Sequence, residues 1–323
     1  MKILVTGGAG FIGSNFIHYL LAKYPNYYII NLDKLTYAGN LDNLKDIGKN
    51  PHYEFIKGDI CNRKLVFDVV RDSDVIVNFA AESHVDRSIK DSSKFIKTNI
   101  EGVQILLEAA RLHNKKRFHQ ISTDEVFGSL DVNDPPFNEN SLYNPRNPYS
   151  ASKAAADHLV KAYFHTYNLP ITISYSGNNY GPYQYPEKLI PLFITNILEN
   201  QKVPVYGNGL ARRDWVYVKD HCEAIDIILH KGRIGESYNV GSKNEKTNLE
   251  ITKAILALLE KGEEMIEFVA DRLGHDMRYA LNNQKIEEGL GWHTKIDFEE
   301  GLRRTIDWYV DNPQWWQKLK NKD

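Results

Sequence analysis

The sequence predicts an α/β fold, a doubly wound parallel sheet with a smaller mixed α/β lobe at its C-terminal end. Three observations carry that reading. Short β-branched runs alternate with amphipathic segments through the first two-thirds of the chain, a glycine-rich turn joins the first run to the first such segment, and the rhythm changes after about Ser176. Strands alternating with helices imply parallel β-α-β units and a sheet covered on both faces. A glycine turn after the first strand makes that sheet Rossmann-type.

The expected strands span 3–5, 28–32, 53–56, 75–79, 118–121 and 171–175, each short, apolar and bounded by polar residues or Gly. Between them, Ile100, Val103, Leu106, Leu107 and Ala110 recur at helical spacing, and a second amphipathic segment covers 149–167. Beyond Ser176, Pro182, Pro186, Pro191 and Pro204, with Gly207 and Gly209, punctuate shorter elements. Helices are expected around 220–230, 247–261 and 298–311. At roughly 150 residues per domain, the 323 residues allow about two domains. The expected division is a nucleotide-binding domain at 1–177 and a lobe at 178–323, with the chain returning to the first around 210–241.

Composition excludes several classes. Forty basic against 42 acidic residues leave a net charge of −2. General nucleic-acid binding needs many cationic contacts to phosphate and is not expected. The two cysteines, Cys61 and Cys222, form no C-x-x-C pair, which argues against a disulfide framework or a structural zinc site. No apolar stretch nears the ~20 residues of a membrane helix. The N-terminal apolar run ends at Val5, too short for a signal peptide, and no N-x-S/T sequon occurs. A cytoplasmic protein without membrane or nucleic-acid partners is expected.

The glycine turn reads Thr6-Gly7-Gly8-Ala9-Gly10-Phe11-Ile12-Gly13. Glycines at 7, 10 and 13 permit a tight turn, close approach of backbone to a pyrophosphate, and close packing of helix on strand. The helix N-terminus then offers free N–H groups to phosphate. Asp33, 20 residues past Gly13, lies where an acid would take the adenosine ribose hydroxyls. Its charge would repel a 2′-phosphate, so NAD is expected rather than NADP, although Lys34 beside it would favour the reverse.

Tyr149 and Lys153 lie one turn apart on one helix face. A phenol ionises near pH 10, so a base at neutral pH needs an adjacent cation. A surface Tyr beside a solvated Lys would show the same spacing; the preceding dinucleotide turn favours catalysis. Ser150 to Lys153 also fits S-x-x-K, but the S-D-N and K-T-G companions of serine acyl-enzymes are missing. Asp124 and Glu125 follow a strand whose carboxyl end is where α/β sheets place ligands. Ser122 with Glu125 equally fits a helix capping box, and spacing alone leaves both readings open.

With these residues placed, the chain resembles the extended short-chain dehydrogenases/reductases, and within them the dTDP-glucose 4,6-dehydratase family. The matching stretches are Asp33-Lys34-Leu35-Thr36-Tyr37-Ala38-Gly39-Asn40, Ala80-Ala81-Glu82-Ser83-His84-Val85-Asp86-Arg87-Ser88 and Ser122-Thr123-Asp124-Glu125-Val126. Further on come Asn178-Asn179-Tyr180-Gly181-Pro182-Tyr183, Glu187-Lys188-Leu189-Ile190-Pro191, Arg213-Asp214-Trp215, and Asp271-Arg272 with Gly274-His275-Asp276. The departures are Tyr175 and Gly177 before Asn178, Phe127 for a Tyr, and Leu273 for a Pro.

The resemblance implies NAD held by the glycine turn with Phe11, Ile12, Asp33, Lys34, Leu35, Thr36, Asp59, Ile60, Phe79, Ala80, Ala81, Ser83, Thr98 and Asn179. It implies a nucleotide sugar held by His84, Thr123, Asn178, Lys188, Leu189, Pro204, Val205, Tyr206, Arg213, Asn248, Asp271, Arg272, Leu273, Gly274 and His275. Arg213 is the expected diphosphate clamp, since guanidinium forks match phosphate, with Arg278 a weaker candidate. A 4,6-dehydratase oxidises C4, eliminates water across C5 and C6, and returns the same hydride to C6. Tyr149, tuned by Lys153, would take the C4 hydroxyl proton, and Thr123 would hydrogen-bond the C4 oxygen. Glu125 would be the base at C5 and Asp124 the acid at C6, because neighbouring carboxyls titrate apart. That demand favours function over capping for the two acids. No metal is expected. A homodimer and a place in deoxysugar (rhamnose-type) biosynthesis are further implications. The alternatives are a UDP- or GDP-sugar 4,6-dehydratase, a 4-epimerase, which has no use for acids at C5 and C6, and a non-catalytic NAD-binding scaffold.

Overall fold

Twelve strands among the described residues organise the chain: β1 Lys2–Thr6, β2 Tyr28–Asp33, β3 Tyr53–Lys57, β4 Val75–Asn78, β5 Arg117–Thr123, β6 Ile171–Ser176, β7 Asn178–Tyr180, β8 Val203–Tyr206, β9 Arg212–Tyr217, β10 Ser237–Val240, β11 Glu245–Thr247 and β12 Ile266–Val269. The protein is represented by a computed structural model that describes residues 1–114, 116–271 and 276–320. Seven strands form one sheet in the order β10-β6-β5-β4-β1-β2-β3, paired in parallel throughout. This is the doubly wound order with one strand added beside β6. The order reverses between β1 and β4, which opens a crevice at their carboxyl ends.

Burial on both faces explains the apolar runs. Ile3, Leu4 and Val5 are fully buried, as are Ile76 and Val77 on the neighbouring strand. β5 runs two residues beyond its expected end, because pairing with β6 continues to Thr123 opposite Ser176. That extension carries Thr123 to the rim of the crevice.

The helical segment expected from Ile100 is more complex. A short turn, Ser93–Phe95, passes into a wide π-helical stretch at Ile96–Gly102 before a regular helix at Val103–Leu112. Wide turns of this kind accompany functional sites. Here the stretch places Thr98 on the crevice and directs Asn99 Nδ2 to Ser152 Oγ at 2.8 Å and to the Glu82 carbonyl at 3.0 Å. The long helix Pro148–Tyr167 starts with Pro at its first turn and a capping box between Asn147 and Ser150. It ends at Asn168 in the left-handed region, φ 54°.

Past Ser176 the chain builds a second core. The sheet β11-β9-β7 and the pair β12-β8 pack with helices Leu189–Leu198, Asn248–Leu258 and Phe298–Asp311 around Tyr180, Trp215, Tyr309 and Trp316. Within this stretch the chain returns to the large sheet. Helix Val218–Lys231 packs on helix Phe11–Lys23, and β10 closes the sheet edge. The tryptophans near the C-terminus pack, and one also braces the glycine turn from behind. Trp315 Nε1 donates to Asn43 Oδ1 at 2.8 Å, and Asn43 Nδ2 donates to the Ala9 carbonyl at 3.0 Å.

Two buried histidines make acid stability predictable. His119 sits between the hydroxyls of Thr172 and Ser174 at 2.9 and 3.1 Å, and His221 faces Asn179 Oδ1 at 2.8 Å. Burial pushes both imidazoles down to about 3, so both are neutral in the fold. The unfolded chain protonates them first as pH drops below about 6.5. Stability contributed by each is therefore present above that pH and lost as pH falls, by about 1.4 kcal/mol per pH unit per histidine. Urea unfolding between pH 7 and 5 should show this slope, and His119→Gln should remove about half of the histidine contribution; an unchanged slope in the variant would contradict it.

Candidate active site

A cavity of about 330 Å³ follows the carboxyl ends of β1, β2, β4, β5 and β6. Its first wall is the glycine turn. Gly7 has φ +71°, and a Cβ there would stand 2.6 Å from the Ala80 amide nitrogen. A Cβ on Gly13 would meet the Gly7 carbonyl at 2.4 Å, so the first helix can lie against the turn only with glycine there. Helix Phe11–Lys23 begins with Gly10 as its N-cap and no side-chain cap, which leaves its amino end to the cavity.

Asp33 closes that end. Its carboxylate accepts from the Ala9 amide at 2.9 Å and the Leu35 amide at 2.7 Å, tying the glycine turn to the end of β2. Leu35 has φ 57° and contributes this amide without lining the cavity. Lys34 pairs with Asp59 at 2.7 Å, which draws its charge toward that carboxylate. Thr36, Asp59, Ile60, Phe79, Ala80, Ala81, Ser83 and Thr98 complete this half. The uncapped helix end, the two close-approach glycines and the buried acid fit a dinucleotide: phosphates at the helix, ribose hydroxyls at Asp33.

At the other end, Tyr149, Lys153, Thr123, Asp124, Glu125, Asn178, Asn179 and Lys188 converge. β5 ends at Thr123, and Asp124–Phe127 form a single 3-10 turn. The strand's alternation stops there, so both acids face one cavity. The cap is Thr123, whose hydroxyl accepts from the Glu125 amide at 3.3 Å. Ser122 plays no part in it; its hydroxyl donates to Asp157 at 2.5 Å. The cap and the exposure of both acids to the cavity thus coexist, with Thr123 rather than Ser122 as the cap.

The electrostatics separate the groups. Burial, reinforced by Glu125 and Asp214, pushes the Asp124 carboxyl well above the usual carboxylate range, with Arg213 opposing. Burial and then Glu125 raise the Tyr149 phenol, while the nearby Thr123 hydroxyl works the other way. Lys153 Nζ donates to the Ile121 carbonyl at 2.6 Å. Burial lowers its basicity, and Asp157, one turn further along the same helix, opposes that loss. Glu125 accepts from Asn147 Nδ2 at 3.3 Å, which fixes it from the cap of the Tyr149 helix.

Other expected residues lie off the cavity wall. His84 caps the short helix Val85–Lys90, with Nε2 3.6 Å from Glu187. Leu189 packs against the second core, and Val205 is 1% exposed inside it. Pro204 and Tyr206 share β8 with it, Tyr206 being largely exposed. Arg213 donates to the carbonyls of Arg212 at 2.7 Å and Asp276 at 2.8 Å and lies 4.4 Å over the Tyr279 ring. Asn248 opens helix Asn248–Leu258, and Asp271 stands beside the Gly207 turn. Arg278 is held bidentately by Glu245 at 2.6 and 2.7 Å and by the carbonyls of Asp131 and Asp134; it is a strut within the protein, not a phosphate clamp. Arg272, Leu273, Gly274 and His275 fall outside the described residues. The wall also contains residues to which no ligand contact was assigned, among them Glu82, Gln184, Tyr185 and Glu187. Glu82 and Glu187 lie within matching motif stretches and Tyr185 between two of them, the one signal that could have found them.

Among the described residues, no cluster of His, Cys, Asp or Glu could hold a metal ion, and no helix is long and apolar enough to cross a membrane. A family model described as GDP-mannose 4,6 dehydratase matches residues 4–305. The dTDP-glucose 4,6-dehydratase of Neisseria meningitidis is 49% identical over 343 residues, spanning 99% of this chain and 96% of that protein. Two solved structures are similar along their whole length. The dTDP-glucose 4,6-dehydratase of Bacillus anthracis, in complex with NAD, has a TM-score of 0.93 at 51% identity and covers 99% of both chains. DesIV of Streptomyces venezuelae, a dTDP-glucose 4,6-dehydratase also solved with NAD, has a TM-score of 0.96 at 47% identity, covering 99% of this chain and 100% of that one. Continuous similarity at this level, on a sheet whose crevice joins a Tyr–Lys pair to two adjacent acids, places the chain in the dTDP-glucose 4,6-dehydratase family of extended short-chain dehydrogenases/reductases.

Proposed function

We propose that the protein is an NAD-dependent hydro-lyase that converts dTDP-glucose to dTDP-4-keto-6-deoxyglucose. One observation carries this: Asp124 and Glu125 share a single turn at the end of β5, in the same cavity as Tyr149 and Lys153. NAD, when bound, supplies the two-electron acceptor that makes C4 oxidation reversible within one turnover. Tyr149 takes the C4 hydroxyl proton, and the buried Lys153 ammonium stabilises the phenolate. Thr123 orients the C4 oxygen. Glu125 removes the C5 proton, made acidic by the C4 ketone, and Asp124 protonates the departing C6 hydroxyl. The high proton affinity of buried Asp124 suits it to the acid's part.

Residues 1–177, joined by the returning segment within 210–241, form the cofactor domain, and 178–323 the sugar lobe. Helix Val218–Lys231 and β10 on the large sheet support that return. We further propose a cytoplasmic homodimer packed through helices Val103–Leu112 and Pro148–Tyr167, whose outer faces include exposed Leu112, Ala151 and Ala162. The product belongs to deoxysugar biosynthesis. Incubation with dTDP-, UDP- and GDP-glucose in parallel tests the reading. Conversion of the dTDP sugar to the 4-keto-6-deoxy product, with far slower turnover of the others, is expected. Recovery of unchanged sugar, or of its C4 epimer, would refute it.

A further inference from the structure

The proposed cycle treats its two ligands differently. The hydride taken from C4 returns to C6 of the same sugar, so NAD ends each turnover as it began and need not leave. The sugar nucleotide must enter and leave every time. With both in one cavity, a device that holds only the cofactor would serve the cycle.

Three loops meet beside the cofactor half of that cavity. Tyr37 follows Thr36 and His84 follows Ser83, so two of the loops run straight out of the expected NAD contacts at 33–36 and 80–83. The third, Tyr185 to Lys188, leads into helix Leu189–Leu198 of the second core. Arg87, on the short helix Val85–Lys90, joins them. Its guanidinium lies 3.8 Å over the Tyr37 ring, and its Nη2 donates to Glu187 Oε2 at 3.1 Å. His84 Nε2 stands 3.6 Å from the same Glu187 oxygen, and Lys188 Nζ donates to the Ser83 carbonyl at 3.4 Å. Tyr37 packs edge-on against Tyr185, with ring centroids 5.5 Å apart. Tyr37, Tyr185 and Glu187 line the cavity. Arg87 stands behind them, its side chain 41% exposed against 14% for Glu187. It fastens the wall from the solvent side.

We propose that Arg87, held between Tyr37 and Glu187, is a latch that retains NAD from one turnover to the next. It ties both cofactor-holding loops to the start of the sugar lobe, and NAD leaves when the guanidinium lets go. A guanidinium stacked on an aromatic face and paired with a mostly buried carboxylate is held more firmly than a solvated ion pair. Its outer side is in water, so salt weakens it. The inference rests on the dehydratase reading and extends it to three residues that have no part in the chemical steps.

Release of radiolabelled NAD from the loaded protein into excess unlabelled NAD tests the latch, with retained label counted after filtration. Arg87→Met keeps the stem without the fork, Tyr37→Leu removes the ring and Glu187→Gln removes the charge. Each should release NAD about 10-fold faster. The double variant Arg87→Met/Glu187→Gln should release it within about twofold of either single variant, because one break opens the latch. Release from the unaltered protein should quicken severalfold between about 0.05 and 1 M salt, and release from Arg87→Met should respond much less. The salt response of the unaltered protein decides the matter even if Tyr37→Leu does not fold. Parental release rates in Arg87→Met and Glu187→Gln, or release from the unaltered protein that ignores salt, would overturn the latch. Unaltered protein that takes up no NAD would instead remove the cofactor reading on which the latch rests.

Discussion

Glu125→Gln should stop elimination while leaving the fold, cofactor binding and C4 oxidation in place. Glutamine keeps the shape and the contact with Asn147, which lies at 3.3 Å, but an amide accepts no proton at neutral pH. The loss should be on the order of 10²–10⁴ in turnover, the usual contribution of a positioned general base. Neutralising Glu125 also removes an anion that raises the proton affinity of both Asp124 and Tyr149, so the phenol should ionise more readily. The variant should therefore show the nicotinamide absorbance change on addition of sugar, without product and without hydrogen exchange at C5. A variant with near-parental turnover would exclude Glu125 as the base.

Tyr149→Phe should block the sequence one step earlier. Removing the phenol oxygen takes away the proposed base at C4. The buried ring stays, packed edge-on against Phe95 at 6.3 Å, so stability should change little. Elimination depends on the C4 ketone, and both the nicotinamide absorbance change and product should vanish together, with turnover down by about 10²–10⁴ or more. The contrast with Glu125→Gln, in which the first signal survives and the second is lost, separates oxidation from elimination. Retention of the absorbance change in Tyr149→Phe would contradict its placement at C4.

The large sheet was legible because its strands are buried on both faces and therefore read as unbroken apolar runs. Ile3 to Val5 and Val75 to Val77 are examples. The small strands of the lobe were not. Asn178–Tyr180 and Glu245–Thr247 are three residues long and partly polar, and only pairing with β9 makes them strands. The π-helical stretch at Ile96–Gly102 was equally hidden. Its Gly102 packs so closely that a Cβ would meet Ile60 at 2.5 Å, a contact across more than 40 positions that local spacing does not encode.

At the site, spacing was sufficient to put residues of one element side by side, as with Tyr149 and Lys153, which both line the cavity. Where tertiary folding sets the contact, it was not. Arg213 was expected as a fork for phosphate, and two of its carbonyl partners, Asp276 and Met277, and the Tyr279 ring are brought to it from more than 60 residues away. The two acids stayed open between cap and catalyst because the answer depends on where β5 ends. It ends at Thr123, and the next turn, capped by Thr123, carries both acids to the cavity.

The most direct test of the central claim is the position of solvent hydrogen in the product. With dTDP-glucose in deuterium oxide, the protein should form the 4-keto-6-deoxy sugar carrying one deuterium at C5 and a C6 methyl group whose third hydrogen came from C4 of the same molecule. A sugar released with its C6 hydroxyl intact and no deuterium at C5 would contradict it.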